Sequence, residues 1–162
     1  MGIEQEIFST VKTALEDNSV LKNYVKDVYD GIRGFEDEFV PDTVKNYIVL
    51  EPLSASETFP NDRSTLVDSG IQKVLTMKIG IIGVITAMKN DKFSFVTDNG
   101  KDKGILGLDE DIKNALDDST AVQEITDGKI ELTTQSFIFE TFPKRKVLQE
   151  LTITRTFEKG DR

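Results

Sequence analysis

Carboxylates supply most of the chemistry open to this chain. Asp109-Glu110-Asp111 is a run of three acids, the side-chain type needed for paired acid–base work or for holding a hard cation. Neighbouring positions on a helix diverge around its axis, so the three do not converge on one point. The run reads instead as an exposed acidic first turn, where the helix dipole favours negative charge. Asp98-Asn99-Gly100-Lys101-Asp102 begins like a calcium loop but lacks the full ligand pattern and its terminal bidentate Glu. Asn-Gly there marks a tight turn. Glycines recur from Gly100 to Gly107 ahead of a helix, yet Gly104-Ile105-Leu106-Gly107 lacks the Gly-Lys-Ser/Thr of a phosphate cradle. His and Cys are absent altogether, which removes the imidazole base, the thiol nucleophile, the disulfide and the usual zinc ligands. No catalytic, cofactor-binding or metal-binding residue is therefore expected.

Contact chemistry is better represented. Lys144-Arg145-Lys146 is the one basic cluster and reads as the charged tip of a hairpin. Such a tip can meet acids such as Glu36, Asp37 and Glu38 of a neighbouring subunit. Phe59, beside Pro60, and Arg63 lie in a long polar stretch and are candidate interface anchors. Phe137, Phe139 and Phe142 read as core or sheet face rather than as a platform for stacking bases.

A formal net charge of −9 repels a phosphate backbone, which disfavours sequence-specific nucleic-acid binding. With 38% hydrophobic and 30% charged residues, global disorder is not expected. The chain fits one domain, 1–162, able to bury roughly two thirds of its unfolded surface. The opening Met1-Gly2-Ile3-Glu4-Gln5-Glu6 does not read as a secretory signal. The apolar run Ile79–Ala87 is too short to span a bilayer as a helix, and no membrane partner is expected.

The positioning elements follow from periodicity. Ile3, Ile7, Phe8, Val11 and Leu15 share a helical face and predict a helix over Ile3–Asp17. Asp17-Asn18-Ser19 offers caps, and Val20, Leu21, Tyr24, Val25, Val28 and Tyr29 predict a second helix over Val20–Asp30, closed by Gly31. Its balance of Lys22 and Lys26 against Asp27 and Asp30 does not suit a DNA-recognition helix. Tyr47–Leu50 reads as a short strand that Pro52 ends or places at an edge. Ser54–Gly70 reads as a flexible polar loop.

Gln72–Met88 alternates as a long strand whose second half is apolar on both faces, with Gly80 and Gly83 marking a bend or close approach. Ile105, Leu106, Leu108, Ile112, Ala115 and Leu116 make a helical stripe over Ile105–Asp117. Strands over Lys129–Thr141 and Val147–Glu158 close the chain as a hairpin. The expected fold is α+β: a four-stranded antiparallel sheet with two to three helices packed on one face.

Two stretches resemble the tail terminator, or tail completion, proteins of long-tailed bacteriophages and prophages. One is Val20-Leu21, Tyr24-Val25 and Val28-Tyr29 followed by Tyr47-Ile48-Val49-Leu50-Glu51-Pro52. The other is the segment from Lys103 through Gly104-Ile105-Leu106-Gly107-Leu108 to Ala115-Leu116. The resemblance implies a homo-oligomeric ring, commonly a hexamer, at the head-proximal end of the virion tail, assembled in the host cytoplasm. Such a ring ends polymerisation of the tail tube and offers the head-joining surface. Its implied partners are itself, the tail tube protein and a head-completion or connector protein, with DNA passing through the lumen. The Ser54–Gly70 stretch departs from the pattern. Other readings are a neighbouring connector or tube subunit, a small carboxylate-dependent enzyme, and a monomeric binding module.

Overall fold

The computed structural model describes residues 2–31, 46–59, 72–86, 96–98, 103–139 and 144–158. The chain is α+β. Helix α1 spans Ile3–Asp17, a 3-10 turn spans Leu21–Asn23, and strands β1 (Asp27–Asp30), β2 (Tyr47–Thr58) and β3 (Gln72–Thr86) follow. Helices α2 (Ile105–Asp118) and α3 (Thr120–Ile125) come next, then β4 (Ile130–Phe139) and β5 (Lys144–Glu158). The strands form one sheet in the order β1-β2-β3-β5-β4. It is five-stranded and mixed rather than four-stranded and antiparallel, because β1 joins β2 in parallel, Asp27 to Asp30 against Tyr47 to Leu50.

That added strand replaces the helix expected over Val20–Asp30. Asn18 Oδ1 does cap the segment, accepting the N–H groups of Val20 and Leu21 at 3.0 Å each, but only a 3-10 turn follows. Tyr24, Val25, Val28 and Tyr29 are aromatic or β-branched, types that suit a pleated surface as well as a helix face. The neighbouring strand decides between the two. Lys26 N–H donates to Asn46 O at 2.9 Å, and Gly31 N–H donates to Leu50 O at 2.8 Å, bracketing the ladder. Gly31, at φ +89°, thus ends a strand and not a helix.

β2 also runs further than expected. Pairing with β3 continues through Pro52 to Thr58, with a bulge between Pro52 and Ser54 that absorbs the proline. Ser54–Thr58 are therefore strand, Phe59 follows it, and residues 60–70 of the expected loop, with Arg63, lie outside the described residues. Pro52 sits beyond the stretch covered by β1, where an edge tolerates its missing N–H.

Both helical stripes pack on one face of the sheet. Ile3, Ile7, Val11 and Leu15 of α1 join Ile105, Leu108, Ile112, Ala115 and Leu116 of α2. Beneath them lie Ile48, Leu50, Leu75, Ile79, Ile81, Ile85, Val147, Leu151 and Ile153. Each large side chain so buried contributes about 1.5–3 kcal/mol. The opposite face holds a smaller buried cluster of Tyr47, Val49, Ile82 and Val84, which agrees with a β3 strand apolar on both sides in its second half.

Gly83 is where α2 comes closest to the sheet. A Cβ there would lie 2.7 Å from Leu108 Cδ2 and 3.0 Å from Val147 Cγ1, so only glycine leaves room for the helix. Gly83→Val should destabilise the fold by about 1–3 kcal/mol through overpacking. A urea midpoint unchanged from wild type would show that α2 can retreat without loss.

Candidate functional site

The start of α2 collects a set of charged contacts that joins three elements. Gly104 and Gly107 let the Val96–Asp98 segment lie directly on the helix. A Cβ on Gly104 would meet Thr97 backbone at 2.4 Å, and one on Gly107 would meet the Asp98 carboxylate at 2.2 Å. These glycines admit a cap. Asp98 Oδ1 accepts the Gly104 N–H at 2.8 Å, and Val96 O accepts the Leu106 N–H at 3.0 Å. Two of the N–H groups that open the helix gain partners in this way. Lys103 then bridges Asp98 and Asp111, at 3.0 Å to each. Tyr24 Oη donates to Asp111 Oδ2 at 2.5 Å, and the Lys103 ammonium stands 5.1 Å from the Tyr24 ring centre.

Electrostatics follow this chain of contacts. Burial pushes the Tyr24 hydroxyl far above the usual tyrosine range, and its bond to the Asp111 carboxylate adds to the rise. Burial also opposes ionisation of Asp98, but the Gly104 N–H and Lys103 outweigh it and hold the carboxyl below its ordinary value. Lys103 is affected oppositely: burial favours its neutral form, and the Asp98 and Asp111 carboxylates override that and raise it.

The three acids of the Asp109-Glu110-Asp111 run have separate environments. Asp109 is buried, at 6% exposure, and does not belong to an exposed first turn. Its Oδ1 accepts Thr134 Oγ1–H at 2.6 Å and Gln149 Nε2–H at 2.7 Å, while Oδ2 lies 3.2 Å from Lys113 Nζ. Gln149 Nε2 also donates to the Asp109 backbone O at 3.1 Å. Glu110 is exposed, and Asp111 reaches back to Tyr24. The side chains point to different partners, as their helical positions require. Among the described residues no group of three or more acids is placed to hold a metal ion.

The basic cluster is not a hairpin tip. Lys144, Arg145 and Lys146 are the first residues of β5, paired with Thr86, Ile85 and Val84 of β3. Strand alternation splits them between the two faces. Lys144 Nζ lies 5.5 Å from the centre of the Tyr47 ring and donates to Tyr47 Oη at 3.4 Å, and Tyr29 meets the same ring edge-on at 5.9 Å. Phe59 is half exposed with Lys73 Nζ 5.7 Å from its ring centre. Glu36, Asp37 and Glu38 lie outside the described residues.

Periodicity read Tyr24 only as part of an apolar stripe and gave no sign of Asn46 or Gln149; all three join distant elements. Asn46 donates from Nδ2 to Tyr24 O at 3.1 Å and accepts the Thr86 N–H at 3.3 Å, tying the entry to β1 onto β3. An Asn directly before an apolar strand was the available signal, but nothing in the sequence names its partners.

Neither Val147–Ile153 of the Val147–Glu158 strand nor Tyr47–Leu50 offers an edge to a neighbouring subunit, because both are paired on each side within the chain. β5 lies between β3 and β4, and Tyr47–Leu50 lies between β1 and β3. The edges left without a partner strand among the described residues include the outer side of the short β1, the later part of β2 beyond it, and the whole outer side of β4. No helix of the described residues is long and apolar enough to cross a membrane. Neither the known protein-family models nor the curated proteins include a match to this sequence.

Two outcomes follow for the α2 contacts. Asp109→Ala should cost about 2–4 kcal/mol, because it removes the carboxylate from the Thr134 hydroxyl and Lys113 and leaves the buried Gln149 amide only the carbonyl of residue 109; a loss under about 0.5 kcal/mol, the usual surface value, would refute that role. Asp98 has a lower pKa folded than unfolded. Its contribution is therefore present above the unfolded value of about 4 and lost as pH falls through the folded value. Asp98→Asn should flatten the decline of urea midpoint on acidification, and an identical acid limb in variant and wild type would contradict the assignment.

Proposed function

We propose that this chain is a structural assembly protein that associates head to tail and closes as a ring on the end of a phage tail tube. The observation that supports the assembly part is the open sheet, which among the described residues has a strand edge without a partner strand at either side, with the two helical stripes packed on one face. Edge amides and carbonyls pair readily with another strand, and a contact between two different edges of one molecule generates a ring or a filament. The terminator role rests on the resemblance carried by Tyr47–Pro52 and Lys103–Leu116. In that role the ring ends tube growth and presents the surface for a head-completion or connector protein, with DNA passing through the lumen. A net charge of −9 suits a protein that lies close to moving DNA without holding it.

The engaged positions of Asp109 and Asp111 favour this over a carboxylate-dependent enzyme, since both acids already serve contacts between elements.

The test is polymerisation of the cognate tail tube protein with and without this chain, followed by electron microscopy of tube lengths. The chain should shorten the length distribution and appear as density at one tube end. Tubes of unchanged length with bare ends would reject the terminator role, and incorporation along the whole tube would assign the chain as a tube subunit instead. Removing the protein during tail assembly should give overlong tubes that do not join heads.

A further inference from the structure

Among the described residues, two long edge stretches without a partner strand, the later part of β2 and the outer side of β4, differ in shape, and the difference selects how they meet; the outer side of β1 is only four residues long. β1 covers β2 only as far as Leu50, while pairing with β3 runs on to Thr58. Among the described residues, Glu51–Ser56 therefore hydrogen-bond as strand on their β3 side alone. Beside this edge, α1 and the sheet leave a groove of about 380 Å³ lined by Phe8, Pro52 and Met77, with Glu4, Gln5 and Ser9 around them. Leu53, on the same strand, is 52% exposed. At the far side of the sheet, β4 pairs with β5 alone among the described residues. Its Ile130, Leu132 and Phe137 pack on the helix side of the core but stay partly exposed.

The bulges keep these features on one face. Pro52 stands opposite Ile79 and Ala55 opposite Met77, so both sides of the β2 bulge present residues to the helix face. Leu132 stands opposite Leu151 and Phe137 opposite Val147, so the β4 bulge does the same. A strand added to the β2 edge continues the sheet, and its helix-face side chains come to lie beside the Phe8–Met77 groove. β4 brings apolar side chains to that position. A second β2 edge does not: antiparallel pairing centred on Ser54 sets Glu51 of each copy against Glu57 of the other and brings two hollows together. The middle of β4, Thr133-Thr134-Gln135-Ser136, carries no charge.

We infer that a second copy of this chain is the occupant, with the outer edge of β4 from one copy adding to the Glu51–Ser56 edge of β2 in the next. Leu132 and Phe137 of the incoming strand cover the groove formed by Phe8, Pro52 and Met77. The seam rests on the assembly reading and names its surface.

The chain has no cysteine, so introduced pairs report the seam directly. Ser54→Cys or Ser56→Cys is combined with Thr133→Cys or Ser136→Cys, all exposed positions on the face away from the helices. Mild oxidation of at least one double variant should give a covalent ladder longer than dimers on a denaturing gel, with each single variant remaining uncross-linked. Sedimentation of the unmodified chain should show concentration-dependent assembly. Ala55→Lys, also exposed, should weaken that assembly about tenfold or more while leaving the urea midpoint unchanged. Assembly without a ladder in any double variant, or dimers from a single β2 cysteine, overturns this seam and leaves the assembly reading standing. A chain that stays monomeric at every concentration also overturns the seam, and the tube-length measurement then decides the terminator role independently.

Discussion

The close approach of α2 to the sheet is the constraint on which the rest of the structure depends. Leu108 fits over Gly83 and against Val147 because no side chain stands between them. With the helix at that depth, Asp109 reaches Thr134 and Gln149, and Asp111 reaches Tyr24. One packing contact thereby sets the two polar contacts that attach α2 to β4 and β5 on one side and to the entry of β1 on the other. A buried carboxylate needs donors at short range, and only a close helix brings them there.

The polar contacts in turn specify connectivity that apolar packing leaves open. Apolar stripes are non-directional and tolerate small slides of a helix over a sheet. The Asp98 cap, the Lys103 bridge and the Tyr24 hydroxyl are directional, and they fix where α2 begins and which segment lies on it. Arg155 adds a similar contact at the end of α3, donating to the Ile125 carbonyl. Asn46 does so between strands. The helix side is thus a pinned layer, and among the described residues the backbone groups without a partner strand lie along the sheet's outer edges.

The amino-acid sequence by itself determined the elements with long, unbroken periods. α1 and α2 could be read from stripes repeating every three or four residues, and β3 and β5 from alternation over more than ten positions. The need for glycine at Gly83 was also visible, since an isolated glycine in an apolar strand marks a close approach. Tertiary structure decided what short or ambiguous segments became. Val25, Val28 and Tyr29 fit either period, and the open side of β2 made β1 a strand. Six residues were too few for periodicity to reveal α3, which depends on the Ser119 cap and the left-handed Asp127-Gly128 turn. Pro52 signalled a stop, and a bulge carried the strand past it. Asp109 looked exposed because its donors, Thr134 and Gln149, lie 25 and 40 residues away. Local sequence records the preference of a segment, whereas burial, pairing and free edges depend on neighbours distant in the chain.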